Sequence, residues 1–224
     1  LPDHESVPKT DLTELDPKTI MLRTWQTERL MRTYADFLSS RRYGPASRFF
    51  VTDLYGVRKF RQRNYDIEYM YKLMRRFIPD ILLVLVRNAI EVYHLTDELD
   101  QELLNVMIAN LGVKDEITEE IYAEAYRMCD NYAERQRQIE LLLEIGRQVD
   151  LSTHFPPIGL ALRLARGPAY HAGWDELHDF LERGYKAFKH MGSAKKFLEA
   201  IRTREYRILD RIYASHPDPF SLAE

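Results

Sequence analysis

With one cysteine in 224 residues, the chain cannot form an internal disulfide or a cysteine-built zinc site. That residue, Cys129, falls on an apolar helical stretch, where a thiol is expected to be a small, inert core hydrophobe. Glycine is scarce at 9 residues, which suits long helices with short connections. Neither G-x-G-x-x-G nor G-x-x-x-x-G-K-[ST] occurs, so nucleotide binding by the familiar phosphate loops is disfavoured. A G-x-S-x-G nucleophile elbow is also missing. The most apolar section, Ile78 to Ile90, is cut by Pro79, Asp80, Arg87 and Asn88, short of the roughly 18 residues that a membrane span needs. Positive charge is not in excess: the net charge of -3 argues against nonspecific polyanion binding, which rests on a basic footprint. No repeat of about 20–50 residues and no low-complexity block is present. The N-terminal stretch has no positive region followed by an apolar run, so cytoplasm is the expected compartment, with a processed end equally compatible.

A hydrophobic fraction of 45% with a charged fraction of 30% is ordinary for a folded protein. The pattern predicts an all-α fold: a single-domain multi-helix bundle with long antiparallel helices around a central buried helix over 79–111. Residues 1–15 read as a loose arm, 16–216 as the helical domain and 217–224 as a tail. In the central helix, Ile81 to Val86 is apolar nearly all round, which predicts burial on every side, and the second half narrows to one stripe ended by Gly112.

Other starts and stops follow from capping chemistry. Asp16 and Pro17 open a helix expected to reach Ser40, and a short one is expected over Pro45 to Tyr55. Another is expected over Tyr65 to Phe77. Thr118 opens a continuous helix to about Leu151, with Met128 and Tyr132 on its stripe and Gln136 interrupting it. A short helix over Ile158 to Ala165 should end at the Arg166–Gly167–Pro168 joint, followed by one from Ala169 to Met191. Ser193 should cap the last, which puts Phe197, Ile201, Ile208 and Ile212 on its core face.

Three stretches, FFVTDLYG at Phe49–Gly56, EVYHLTDELD at Glu91–Asp100 and FLERGYKAFKHMG at Phe180–Gly192, resemble the bacterial FFLEELY-motif proteins over most of the chain. Phe49, Phe50, Leu54 and Tyr55 match the naming motif, while Val51, Thr52 and Asp53 depart from it. That resemblance implies an all-helical fold and transfers no activity.

The residues that could carry chemistry are His171, Asp175 and His178 at i, i+4 and i+7, which fall on one face if a single helix holds them. Imidazole and carboxylate are ligands for iron, manganese or zinc. Glu91-x-x-His94 on the central helix adds a second such pair. In spacing alone these patterns are similar to haem-oxygenase-like di-iron oxidases. That similarity implies Glu91, His94, His171, Asp175 and His178 as metal ligands, with Glu28 or Glu124 completing the set around iron or manganese. The opposing account has Glu91 and His94 as a surface pair, and Gly173 delaying the helix start to Trp174 or Asp175, which takes His171 off the face. A basic, aromatic stretch includes Arg41, Arg42, Arg48, Arg58, Lys59, Arg61 and Arg63 and reads first as a solvated turn, with RNA or anionic head groups as the alternative partner. Among the 14 tyrosines, Tyr65, Tyr69, Tyr122, Tyr126, Tyr132 and Tyr170 would place polar tips in the interior that need partners. The leading expectation is therefore a helical binding protein for an apolar small molecule or a partner helix, open to homo-oligomerisation. An iron oxidase is the alternative.

Overall fold

The structure, a computed structural model, describes residues 16–54, 80–171, 173 and 175–222. Among them are nine α-helices and one π-helical turn, and no strand. The expected helix over Tyr65 to Phe77 and the patch Arg58, Lys59, Arg61 and Arg63 lie outside the described residues.

Helix α1 (Pro17–Thr33) starts as its residues dictate: the Asp16 carboxylate accepts from the Lys18 N–H at 3.1 Å, and Pro17 occupies the first turn. The expected run to Ser40 is interrupted at Tyr34, whose φ of -114° and ψ of 23° separate α1 from α2 (Ala35–Ser39). The ring of Tyr34 is fully buried there. Helix α3 (Gly44–Arg48) passes into a π turn over Phe49–Leu54. A π turn inserts an extra residue per turn, and here Phe49, Phe50 and Val51 in succession are all buried. Phe50 packs edge-on against both Tyr34 and Phe197, each centroid 6.0 Å away.

Helix α4 (Asp80–Ala109) ends before Gly112, which holds the left-handed φ of +67° that glycine tolerates best. Among its described side chains, the buried apolar ones are Leu99, Leu103, Leu104 and Met107. Of the section Ile81 to Val86 expected to be buried on every side, Val84 is exposed and Leu85 partly buried, while the side chains at 81–83 and 86 lie outside the described residues.

The continuous helix expected from Thr118 to Leu151 is two helices. Thr118 does cap α5 (Glu119–Cys129), its hydroxyl accepting from the Ile121 N–H at 3.3 Å. Asp130 then turns left-handed at φ 50°, and α6 (Tyr132–Thr153) starts afresh. Helix α6 is the hub, packed on α4, α9, α8 and α7.

Helix α7 (Pro156–His171) runs through Pro168, and α8 (Asp175–Met191) begins only after Gly173 at φ +76°. The break therefore falls five residues later than the proline suggested. Proline removes the hydrogen bond to the carbonyl four residues back, and here that residue, Leu164, faces solvent at 69% exposure, where water can serve the carbonyl. Helix α9 (Lys195–Tyr213) lacks the expected simple serine cap. The Asp150 carboxylate takes the Ala194 N–H at 3.1 Å, and Ser193 Oγ takes that of Lys195 at 3.4 Å. Residues beyond α9 fold back so that Phe220 meets Trp25 edge-on at 5.6 Å.

Candidate functional site

Charged residues sit where helix register calls for apolar ones. On α1 the buried positions are Leu22, Gln26, Arg29, Leu30 and Thr33; on α9, Glu205 lies between Ile201 and Ile208. These meet Asp100 of α4, Tyr122 of α5, and Arg135 and Gln138 of α6 around one cavity of about 50 Å³, whose remaining wall includes Ile139, Ile201, Ile208 and Phe220.

Burial of charge is tolerable only with partners. Arg29 Nη1 donates to both oxygens of Glu205, at 2.7 and 2.8 Å, and Tyr34 OH donates to the same carboxylate at 2.8 Å. The Glu205 carboxylate is thus fully partnered. Gln26 Nε2 donates to Asp100 Oδ1 at 2.9 Å, and Gln138 Nε2 to Thr96 Oγ1 at 2.8 Å.

Arg135 differs. It is 3% exposed, its Nη2 donates to the Leu99 carbonyl at 3.0 Å and its Nη1 to Gln138 Oε1 at 3.4 Å. Its guanidinium lies 4.3 Å from the Tyr126 ring centroid. Among the described residues no carboxylate reaches it within ion-pair distance, and the Nε atoms of both Arg135 and Arg29 have no hydrogen-bond partner. Burial works against the charge of Arg135, but Tyr126, Tyr122 and Asp100 hold its pKa above the usual arginine value. Burial also raises the Asp100 carboxyl against the opposing pull of Gln26, Arg135 and Arg23, and pushes the Tyr122 hydroxyl well above the usual tyrosine value. The cavity thus offers a permanent cation with an open donor beside an acid that ionises reluctantly.

The residues expected as ligands are placed apart from this cavity. Glu91 is exposed and accepts from Arg137 Nη2 at 2.6 Å, and His94 is exposed one turn on. His171 closes α7 while Asp175 opens α8, so they do not share a helix with one face, and both are exposed. Only His178 of the five is buried. Among the described residues, the group of three ligand-type side chains brought together joins His178 to Asp179 and Glu182. Glu28 and Glu124 line no part of the cavity. Of the basic residues that are described, Arg42 Nε donates to the Met191 carbonyl at 2.8 Å, which makes it a structural tie. Cys129 is half-buried, and burial first, then Glu102, pushes its thiol up to about 11.

Sequence reasoning named Tyr122 and Tyr126 as interior tyrosines but missed Arg29, Asp100, Arg135, Gln138 and Glu205. The signal was available as charge within an apolar register.

Fold and site define a helical protein with a small cavity lined by charges of both signs, and no helix among the described residues is long and apolar enough to cross a membrane. The chain belongs to the family described as Domain of unknown function (DUF8198), whose model matches residues 6–219. No curated protein and no solved structure matches it.

Proposed function

We propose that this protein binds a small carboxylate-bearing molecule in the cavity between α1, α4, α5, α6 and α9. The observation that carries the reading is Arg135: a guanidinium buried without a carboxylate counter-ion, beside open space. An anion entering that space supplies the missing partner, and charge-assisted hydrogen bonds of this kind are the strong ones. The neighbouring Nε of Arg29 offers a second open donor. A water-sized group occupies about 10–15 Å³ of such space, so the cavity takes roughly three to five of them. That is the size of acetate or propionate. Ile201 and Ile208 in the wall suit a short alkyl tail, although the charged head group departs from the apolar ligand expected from the sequence.

The test is calorimetric titration of the full chain with propionate, against chloride at matched ionic strength and against the uncharged propionamide. Saturable one-to-one binding of propionate, with chloride and propionamide weaker by at least about tenfold, supports the reading. Equal heats for propionate and propionamide, or no saturation, removes it.

A partner helix keeps one specific support. The outward face of α7 presents Leu160 at 50% exposure and Leu164 at 69%, beside the exposed Arg163 and Arg166, and α7 contains no acidic residue. An amphipathic helix with acidic flanks complements that face. Leu160→Gln with Leu164→Gln should leave helix content intact and abolish binding of such a peptide. Unchanged binding by the double variant would exclude α7 as the dock.

A further inference from the structure

We propose a divalent transition-metal site on α8 formed by His178 Nδ1, one carboxylate oxygen of Asp179 and one of Glu182, apart from the cavity and sharing only His178 with the ligand set expected from spacing. The tautomer of His178 is the starting point. Its Nε2 lies 2.8 Å from the Leu162 carbonyl of α7. A carbonyl only accepts, so Nε2 carries the proton and Nδ1 of the neutral ring presents a lone pair. A backbone carbonyl on the far nitrogen is the usual way a protein orients a metal-binding imidazole.

Nδ1 itself is buried and has no hydrogen-bond partner, in a residue 4% exposed. It faces Asp179 Oδ1 at 3.7 Å, too far for a hydrogen bond and an unfavourable pairing of two acceptors while the ring is neutral. A cation between them relieves it, since two bonds of about 2.1 Å readily span that gap. Glu182 brings the third ligand atom, all three lying within 4.8 Å of one another. Tyr170 OH donates to Asp179 Oδ1 at 2.8 Å, which fixes the position of that carboxylate. One nitrogen and two oxygens suit zinc, manganese or ferrous iron, with further coordination positions open to water. Lys186 Nζ, 2.8 Å from Glu182 Oε1, competes with the metal for that carboxylate. Because Leu162 and Tyr170 belong to α7, a bound ion would also tighten the α7–α8 hairpin.

Titration of the tag-free full chain with Zn²⁺ or Mn²⁺ alone tests this. Expected is one equivalent bound more tightly than about 0.1 mM. Asp179→Asn and Glu182→Gln, both on partly exposed side chains, each weaken binding by about tenfold or more. Lys186→Gln strengthens it, which a purely structural role for His178 would not produce. His171→Ala leaves it unchanged. The proposal is overturned by absence of saturable binding at about 1 mM metal. It is also overturned if the Asp179→Asn/Glu182→Gln double variant matches wild type, if Lys186→Gln does not bind more tightly, or if His171→Ala loses binding.

Discussion

Replacing Glu205 with glutamine should be among the most damaging single-atom-scale changes available in this protein. The side chains of Arg29 and Glu205 are 11% and 15% exposed, and the carboxylate takes two contacts from Arg29 and one from Tyr34. Removing one member of a buried pair costs about 3–5 kcal/mol, because the remaining charge is stranded. Glutamine keeps an acceptor for Tyr34, and the pair is not wholly dry, so the expected loss is about 2–4 kcal/mol. The Arg32–Glu119 pair gives an internal control: with side chains 55% and 42% exposed, Glu119→Gln should cost under about 1 kcal/mol. Urea unfolding at pH 7 reads both as midpoint shifts at constant slope. Arg29→Met combined with Glu205→Leu should recover much of the loss, since no charge is left unpaired. A Glu205→Gln loss no larger than that of Glu119→Gln would refute the claim that this cluster is buried and electrostatically committed. Under the proposed function, Glu205→Gln also leaves Arg29 without its carboxylate beside the cavity, so added propionate should stabilise this variant more than wild type.

Asp100 carries a raised pKa, so the native state keeps a proton that the unfolded chain has released, and its contribution to stability falls as pH rises from 3.8 through the folded value. Asp100→Asn should therefore gain on wild type in urea unfolding as pH rises above about 4, and a constant or shrinking difference would contradict the assignment. A Cβ added at Gly146 would collide with Leu198 Cδ2, where α6 and α9 approach closely; about 1 kcal/mol of alanine's helix preference offsets part of that overpacking, so Gly146→Ala should cost no more than about 2 kcal/mol by thermal unfolding. Labelling of Cys129 by a thiol reagent at pH 8 should be slow in the native protein and fast in denaturant, given a pKa pushed up to about 11.

Much of the fold was legible because helix boundaries depend on a few neighbouring residues. Asp16 with Pro17, Thr118, Gly112 and Gly192 all act where capping chemistry places them. The errors share a cause as well. Asp130 adopts a left-handed conformation without glycine, and nothing nearby in the sequence separates it from a helical aspartate. Pro168 looks like a break because proline forfeits a hydrogen bond, a loss that matters least where the acceptor residue is solvent-exposed, and exposure belongs to tertiary structure. The π turn at Phe49–Leu54 depends on burying three consecutive side chains, which no single helical period describes.

The missed site follows from the missed break. A stripe carried without interruption from Ile117 puts Met128 inside and flags Gln136 as its polar exception, yet Met128 is 42% exposed. Asp130 and Asn131 reset the phase, and the inward residues of α6 become Arg135, Gln138 and Ile139. On α9 no break intervenes, and Glu205 sits in plain register between Ile201 and Ile208, as Arg29 does beside Leu30. A charge inside an apolar register is costly alone, so each one demands a partner that register on another helix can supply. Arg29 and Glu205 answer one another across α1 and α9. Arg135, the cation of the cluster left without a carboxylate among the described residues, is the place where that demand is still open, and it borders the cavity.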